Sequence, residues 1–205
     1  MPRPSRTGEV AALKGVVRAI WEKDMPVEYG LVTDMRAALP RDAIISMDPT
    51  LCAYAAWNML DIYEPRSYLY PMGGATLGYG FPAALGAKVA HPDRPVVAIC
   101  GDAGFMVSCQ ELATVVQYGI SVVLLLFNDE GYGVLRIQQD GRFGRRSQVD
   151  TVNPDFVAMA RAFGAAGVRI EGPAQVRAAL ESALESDRPT LIEIPIALTA
   201  QRITS

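Results

Sequence analysis

Two helical patterns occupy the first forty residues. Apolar side chains recur at helical spacing up to Lys23, at Val10, Leu13, Val17, Ile20 and Trp21. A second pattern begins at Pro26, a residue suited to the first turn of a helix, and Pro40 ends it. We therefore predict a short amphipathic helix, then a second helix, leading into the main folded unit.

Beyond residue 40, short apolar runs alternate with helical segments. Strands are predicted at 43–47, 96–100, 122–127, near Val168 and at 190–194. Helices are predicted at 82–90, from Ser108 to Tyr118, from Asn153, and at 173–185. Apolar runs joined by helices are typical of buried parallel strands. The predicted fold is α/β: a three-layer sandwich with a mainly parallel sheet flanked by helices on both faces.

Two of the predicted helices carry start signals. Ser108 and Glu111 have the spacing of a capping box, and Gly119 marks the end of that helix. The later sequence Asn153-Pro154-Asp155 combines a cap, a first-turn proline and an acid at the positive end of the helix dipole. We expect Ser108 and Asn153 to cap these helices.

Length and composition bound the organisation. A chain of 205 residues, half of them hydrophobic, fits one compact domain. We assign 1–40 to a linker and lead-in helices, 41–198 to the domain and 199–205 to a C-terminal tail. The net charge of -3, without a dense basic stripe, argues against nucleic acid or a membrane surface as a partner.

The cysteines and the apolar runs bear on location. The three cysteines show neither pairing nor metal-ligand spacing, so we expect reduced thiols in a cytoplasmic protein. No apolar run reaches the length of about 18 residues that a membrane helix needs. We therefore expect no membrane association.

Polar residues and glycines follow the two most apolar strands. Gly101-Asp102-Ala103-Gly104 follows the first, and the segment from Asn128 to Gly133 follows the second. Ligands of open parallel sheets bind beyond the carboxyl ends of the strands, where Asp102 and Asp129 would meet if these strands are neighbours. A helix starting near Ser108 would also aim amide groups at this place, which favours a phosphate there.

Two converging carboxylates need a cation or a proton between them. Mg²⁺ accepts one or two carboxylates together with waters and phosphate oxygens, and the Gly131 carbonyl could supply another ligand. The alternative is that each aspartate only caps a helix, which is common directly after a strand. From the residues alone, both interpretations stay open.

The motifs resemble those of thiamine-diphosphate-dependent enzymes. The signature of that family is Gly-Asp-Gly followed by Asn-Asn; here 24 residues separate Gly101-Asp102-Ala103 from Asn128-Asp129. Residues 75–88 are similar to the family's cofactor-bending segment, and residues 91–95 and 110–114 resemble its acetolactate synthase and benzoylformate decarboxylase branch. The resemblance covers roughly residues 26–196.

The resemblance implies a set of site residues. Asp102, Asp129 and the Gly131 carbonyl would bind Mg²⁺, which holds the diphosphate of the cofactor. Leu77 would wedge thiamine diphosphate into its bent form, and the Ala75 carbonyl would accept a hydrogen bond from the aminopyrimidine. The full implied set is Thr50, Leu51, Cys52, Ala75, Thr76, Leu77, Gly101, Asp102, Ala103, Gly104, Asp129, Gly131, Tyr132, Gly133 and Val134.

The chain departs from the family pattern at three places. Ala103 stands where the family has its third glycine, and Asp129 stands where it has the second asparagine. The extra charge of Asp129 should raise metal affinity and destabilise the empty site. No tryptophan follows Arg136, unlike in most acetolactate synthases, which argues against acetolactate synthesis itself.

The resemblance also implies what this chain lacks. In the family, the activating glutamate comes from a separate pyrimidine-binding domain, and we find no candidate for it here. We therefore expect that domain in the same longer protein or in a second subunit, a homo-oligomeric assembly and a 2-oxo acid substrate, with no catalytic residue in this chain. The isolated chain should be inactive.

Two other classes of function are alternatives to this interpretation. A nicotinamide-dependent dehydrogenase would need Gly-x-Gly-x-x-Gly between a strand and a helix, and this chain has none. The second class is a non-catalytic module that binds a cofactor or a partner chain. Self-association measured against concentration would distinguish such a module from a monomer.

Overall fold

The fold is described here from a computed structural model, which covers residues 5–196 and residue 198. The predicted tail at 199–205 lies outside the described residues. In chain order, the elements are α1 Thr7–Asp24, α2 Pro26–Ala38, β1 Ile44–Met47, α3 Leu51–Met59, β2 Tyr68–Leu69, α4 Gly80–Ala90, β3 Val96–Gly101, α5 Asp102–Ser108, α6 Glu111–Gln117, β4 Val123–Asn128, α7 Gly133–Phe143, α8 Phe156–Phe163, β5 Ala166–Arg169, α9 Val176–Leu184 and β6 Thr190–Pro195.

The described strands form one six-stranded sheet in the order β2-β1-β3-β4-β6-β5, and every pairing is parallel. Successive residues point to opposite faces, as the period of a strand requires. In β3, Val97 and Ile99 join one hydrophobic core, whereas Val96, Ala98 and Cys100 join the other. Because both faces are covered, the predicted three-layer α/β sandwich is confirmed.

The two cores are completed by different helices. Helices α2, α3 and α9 cover the first face, and α2 contributes Leu31, Val32 and Met35 to it. Helices α4, α5, α6 and α8 cover the second face. The N-terminal helix α1 buries no residue, and Leu13 on it is 65% exposed. No helix in the described part of the chain is long and apolar enough to cross a membrane.

The predicted helix starts need two corrections. The expected helix from Ser108 begins instead at Glu111 with Gln110 as its cap residue, and Glu111 accepts a hydrogen bond from Thr114 rather than closing a capping box. Ser108 is the last residue of α5, and its buried hydroxyl has no hydrogen-bond partner among the described residues. At α8, Asp155 is the cap and accepts from the Ala158 amide at 3.0 Å, so the prediction for Asn153 is wrong.

The order of the strands places a cleft at the carboxyl edge of the sheet. After β1 the chain enters α3 on the first face and continues to β2, whereas after β3 it enters α5 on the second face and continues to β4. Neighbouring strands whose connections leave in opposite directions open a crevice, where ligands of doubly wound sheets bind. The loops after β1 and β3 therefore flank this crevice.

Candidate functional site

A cleft of about 210 Å³ lies at this edge of the sheet. Its walls come from the segments that follow β1, β3 and β4, and from the bend before α4. The lining residues are Pro49, Thr50, Leu51, Tyr54, Ala75, Leu77, Gly101, Asp102, Ala103, Gly104, Asp129, Gly131, Tyr132, Gly133, Val134 and Leu135. Closed sites for drug-sized ligands measure about 300–1,000 Å³, so this cleft has the size of a partial site.

Most of the residues singled out in the sequence line this one cleft. Two of them do not: Cys52 is fully buried in the first core, and Thr76 is exposed outside the cleft lining. Pro49, Tyr54 and Leu135 line the cleft but were not singled out. Helices α3 and α7, which carry Tyr54 and Leu135, were not predicted: α3 directly follows the turn residues Asp48-Pro49-Thr50, and α7 follows the polar segment that begins at Asn128.

Three helices begin at the cleft. The first residues of α3, α5 and α7 are Leu51, Asp102 and Gly133, and all three line it. The first turn of a helix leaves amide groups without helical partners and carries the positive end of the dipole. The amides expected from a helix at Ser108 are therefore supplied by α5, which starts six residues earlier. Together, the three helix starts favour an anionic group such as a phosphate.

Asp102 and Asp129 meet in the cleft wall because β3 and β4 are neighbours. Asp102 is almost fully buried; its Oδ2 accepts hydrogen bonds from the Gly131 amide at 2.9 Å and from Asn153 at 2.5 Å. Burial, and then the charge of Asp102, raise the pKa of Asp129 to about 6, while Arg136 opposes the rise. The pair is a concentration of negative charge that a bound cation would relieve.

The turn from Asp129 to Gly133 is held by Arg136. Its guanidinium donates to the Asp129 carbonyl at 2.6 Å and to Asp150 at 2.7 Å, and it also donates to the Glu130 carbonyl. A Cβ on Gly131 would stand 2.3 Å from the Val149 carbonyl, and a Cβ on Gly133 would stand 2.3 Å from Asp129 Oδ2. A side chain at either position would clash with these atoms, so both positions require glycine.

The bend before α4 is held by Asp48. Its carboxylate accepts from the Gly78 amide at 3.1 Å and from the Gly80 amide at 2.5 Å. Gly78 has φ +82°, in the left-handed region that favours glycine. Asp48 is fully buried, and burial raises the pKa of its carboxyl. These two hydrogen bonds fix the bend that places Leu77 in the cleft wall. The sequence predicted only a turn at Asp48.

Ala103 adopts an ordinary helical conformation. Among the described residues, the non-glycine positions with positive φ are Arg66, Ala75, Glu130 and Gln148. The departure from the family's third glycine therefore introduces no backbone strain at Ala103. Gly104 carries the steric constraint instead, because a Cβ there would stand 2.4 Å from Asp48 Oδ2.

The fold and the cleft define a class: a parallel α/β domain in which three helix starts and a pair of carboxylates line one cleft at the carboxyl edge of the sheet. Residues 49–194 match the family described as thiamine pyrophosphate enzyme, C-terminal TPP binding domain. The chain belongs to this family.

Relatives of known name agree with that assignment. The chain is 32% identical to an acetolactate synthase of Bacillus subtilis over 88% of this chain and 32% of the relative, and 34% identical to a benzoylformate decarboxylase of Pseudomonas aeruginosa over 86% and 34%. A solved 4-hydroxybenzoylformate decarboxylase of Rhodococcus jostii superposes with a TM-score of 0.77 at 34% identity, over 85% of this chain and 33% of that one. The chain thus spans about a third of the length of these relatives.

Proposed function

We propose that this domain binds thiamine diphosphate through Mg²⁺ and supplies the cofactor-holding half of the active site of a 2-oxo acid decarboxylase or carboligase. One observation carries the proposal: Asp102 and Asp129 converge beside three helix starts in a single cleft. Family membership supports the cofactor. The names of the relatives, which include acetolactate synthases and benzoylformate decarboxylases, support the reaction class.

The donor set fits Mg²⁺. We assign the metal to Asp102, Asp129 and the Gly131 carbonyl, all of which line the cleft. In the described residues, no group of three or more His, Cys, Asp or Glu is assembled as a metal site, and the cleft itself brings together two carboxylates. Mg²⁺ uses one or two carboxylates and completes its shell with waters and phosphate oxygens, so a third acidic ligand is not required.

When bound, thiamine diphosphate supplies the nucleophilic carbon and the electron sink that decarboxylation of a 2-oxo acid requires. The residues of this chain bind and orient. Thr50, Leu51, Gly101, Ala103, Gly104, Tyr132, Gly133 and Val134 would surround the diphosphate, as lining of the cleft. Leu77 and the Ala75 carbonyl, on the bend bracketed by Asp48, would hold the aminopyrimidine end. Thr76 and Cys52 lie outside the cleft lining, so we assign them no contact with the cofactor.

The other half of the active site is proposed to come from a pyrimidine-binding domain, in the same longer protein or in a second subunit of a homo-oligomer. Two features support this. The cleft is smaller than a closed ligand site, and the helices that begin at it carry exposed apolar side chains: Met106 and Val107 on α5, and Leu135 on α7. Cys52 and Cys100 are buried free thiols, which supports a reducing, cytoplasmic setting.

Calorimetric titration of thiamine diphosphate into the chain, with and without Mg²⁺, tests the proposal. The Asp102→Ala variant should lose metal-dependent binding because it removes a buried ligand. Asp140→Ala is the matched control, since this carboxylate on α7 lies at the surface and pairs with Arg146. Equal, metal-independent heats for wild type and Asp102→Ala would contradict the proposal.

A non-catalytic partner-binding module is the second candidate, and the exposed apolar rim favours it. The two functions differ in a titration: a pure partner module binds another chain without Mg²⁺ and thiamine diphosphate. Sedimentation of the chain across a range of concentrations, with and without both ligands, separates them. Self-association that is the same with and without both ligands supports the partner-binding module.

A further inference from the structure

A line of polar side chains connects strand β6 to the proposed metal site. Glu193, which is 2% exposed, accepts from Arg169 Nε on one oxygen and from Asn128 Nδ2 on the other, both at 2.8 Å. Asn128 Oδ1 accepts from Asn153 Nδ2 at 2.9 Å. The same Asn153 nitrogen reaches Asp102 Oδ2 at 2.5 Å. Four hydrogen bonds thus join Arg169 to Asp102.

The direction of these bonds is fixed by Glu193 and by the Glu130 amide, which donates to Asn128 Oδ1 at 3.2 Å. An ionised carboxylate only accepts, so Asn128 must turn its amino group toward Glu193 and its oxygen toward Asn153. Asn153 must then turn its amino group toward Asn128, and the same group faces Asp102. The Thr151 hydroxyl donates to Asn153 Oδ1 at 3.0 Å, which favours the same orientation.

We infer that Glu193 and Asn153 are positioning residues of this site: the buried Glu193 carboxylate orients two amides in series so that Asn153 presents a donor that holds Asp102 in its ligating rotamer. The inference rests on the proposed function for the role of Asp102. Neither Glu193 nor Asn153 lines the cleft, so both act through other residues. Supports of this kind around metal ligands typically change metal affinity about 10- to 100-fold when removed.

Glu193→Gln is the diagnostic change because it keeps the shape and alters only the bonding. A glutamine has one oxygen, while Arg169 and Asn128 both present donors to this position. If Arg169 keeps the oxygen, the glutamine amino group faces the amino group of Asn128, and we expect the Asn128 amide to flip even though it then loses its hydrogen bond from the Glu130 amide. We expect Asn153 to flip in turn against its bond from Thr151, which places its oxygen against the Asp102 carboxylate.

This logic predicts a rescue. In the double variant Glu193→Gln with Arg169→Met, no arginine competes for the glutamine oxygen, so Asn128 and Asn153 return to their native orientation. Arg169→Met alone should keep Mg²⁺ affinity close to that of wild type, because Glu193 still accepts from Asn128. Asn153→Ala removes the last donor, so Arg169→Met should not rescue it. A merely structural loss at β6 would not be repaired by a second substitution.

Two measurements on the 205-residue chain decide the matter. The side-chain amide resonances of Asn128 and Asn153 are recorded by ¹⁵N NMR without ligands, and Mg²⁺ affinity is measured by calorimetry at saturating thiamine diphosphate. We expect both amide signals to move in Glu193→Gln and to return in the double variant. Mg²⁺ affinity should fall about 10- to 100-fold and recover in parallel.

Each other outcome has a definite meaning. Movement of the Asn128 signal alone, or unchanged Mg²⁺ affinity in Glu193→Gln, overturns the inference. If wild type binds no Mg²⁺ with thiamine diphosphate, the proposed function fails, and the amide spectra still decide whether the bonds are coupled. Should Glu193→Gln not fold, Asn153→Ala in its half-buried loop takes its place: full Mg²⁺ affinity there refutes the role, and a 10- to 100-fold loss supports it.

Discussion

Asp129→Asn should stabilise the ligand-free chain in a strongly pH-dependent way. Asp129 normally has a pKa near 3.8, and burial together with Asp102 raises it to about 6. A carboxyl with a raised folded-state pKa favours folding below its ordinary value, and that contribution is lost as pH rises to about 6. The amide removes the charge and can donate to the Asp102 carboxylate.

The magnitude follows from the two pKa values. The difference between 3.8 and about 6 corresponds to at most about 3 kcal/mol above pH 7, and the side chain is only 16% exposed, so solvent screening is modest. Wild type and Asp129→Asn should therefore have equal stability near pH 4. At pH 8 the variant should be more stable by about 2–3 kcal/mol, or a Tm about 4–12 °C higher.

Thermal and urea unfolding from pH 4 to pH 8, without metal, measure this difference. Asp93→Asn, in an exposed turn away from the cleft, serves as the control and should show no pH-dependent gain. Added Mg²⁺ and thiamine diphosphate should narrow the gap, because wild type then uses the charge that the variant lacks. A constant offset between wild type and Asp129→Asn across the pH range would refute the electrostatic reasoning.

Three further predictions follow from the cleft. Asp48→Ala should lower the free energy of unfolding by about 1–3 kcal/mol in urea, because the amides of the bend lose a buried acceptor; unchanged stability would contradict the bracket. Gly133→Ala should weaken thiamine diphosphate binding by at least about tenfold, since its Cβ would meet Asp129, whereas Gly141→Ala in the same helix has open space and should stabilise the chain by about 0.5–1 kcal/mol. The isolated chain should not turn over pyruvate or benzoylformate, and steady carbon dioxide release would refute the need for a second domain.

Much of the sheet could be predicted from the sequence, because buried parallel strands are continuous apolar runs. Strands β1, β3, β4 and β6 were each predicted within a residue or two of their observed bounds. Strand β2 was not predicted, since its two residues, Tyr68 and Leu69, form no run. That β3 and β4 are neighbours was anticipated only from the similar polar and glycine residues that follow both strands. The structure shows the pairing directly.

The supporting residues of the site were harder to find from the sequence. Asn153 and Asp48 have strong local propensities, for a helix cap and for a turn. These propensities explain both residues locally, so their long-range partners were not sought. Asn153 contacts Asp102, 51 positions away, and Asp48 contacts Gly80, 32 positions away. A polar residue's local propensity does not specify such partners, because they depend on how distant segments meet in the sheet.

The two ends of the cleft are built on parts of the sheet that differ in local stability. The proposed metal-binding end stands on β3 and β4, which are hydrogen-bonded on both sides, whereas the Leu77 bend follows β2, a two-residue strand at the edge of the sheet. Edge segments open locally, while central strands exchange their amide protons only on global unfolding. We therefore expect amide protons of β3 and β4 to exchange slowly with or without ligand. Amide protons of the Leu77 bend should exchange fast in the free chain and more slowly when ligand is bound.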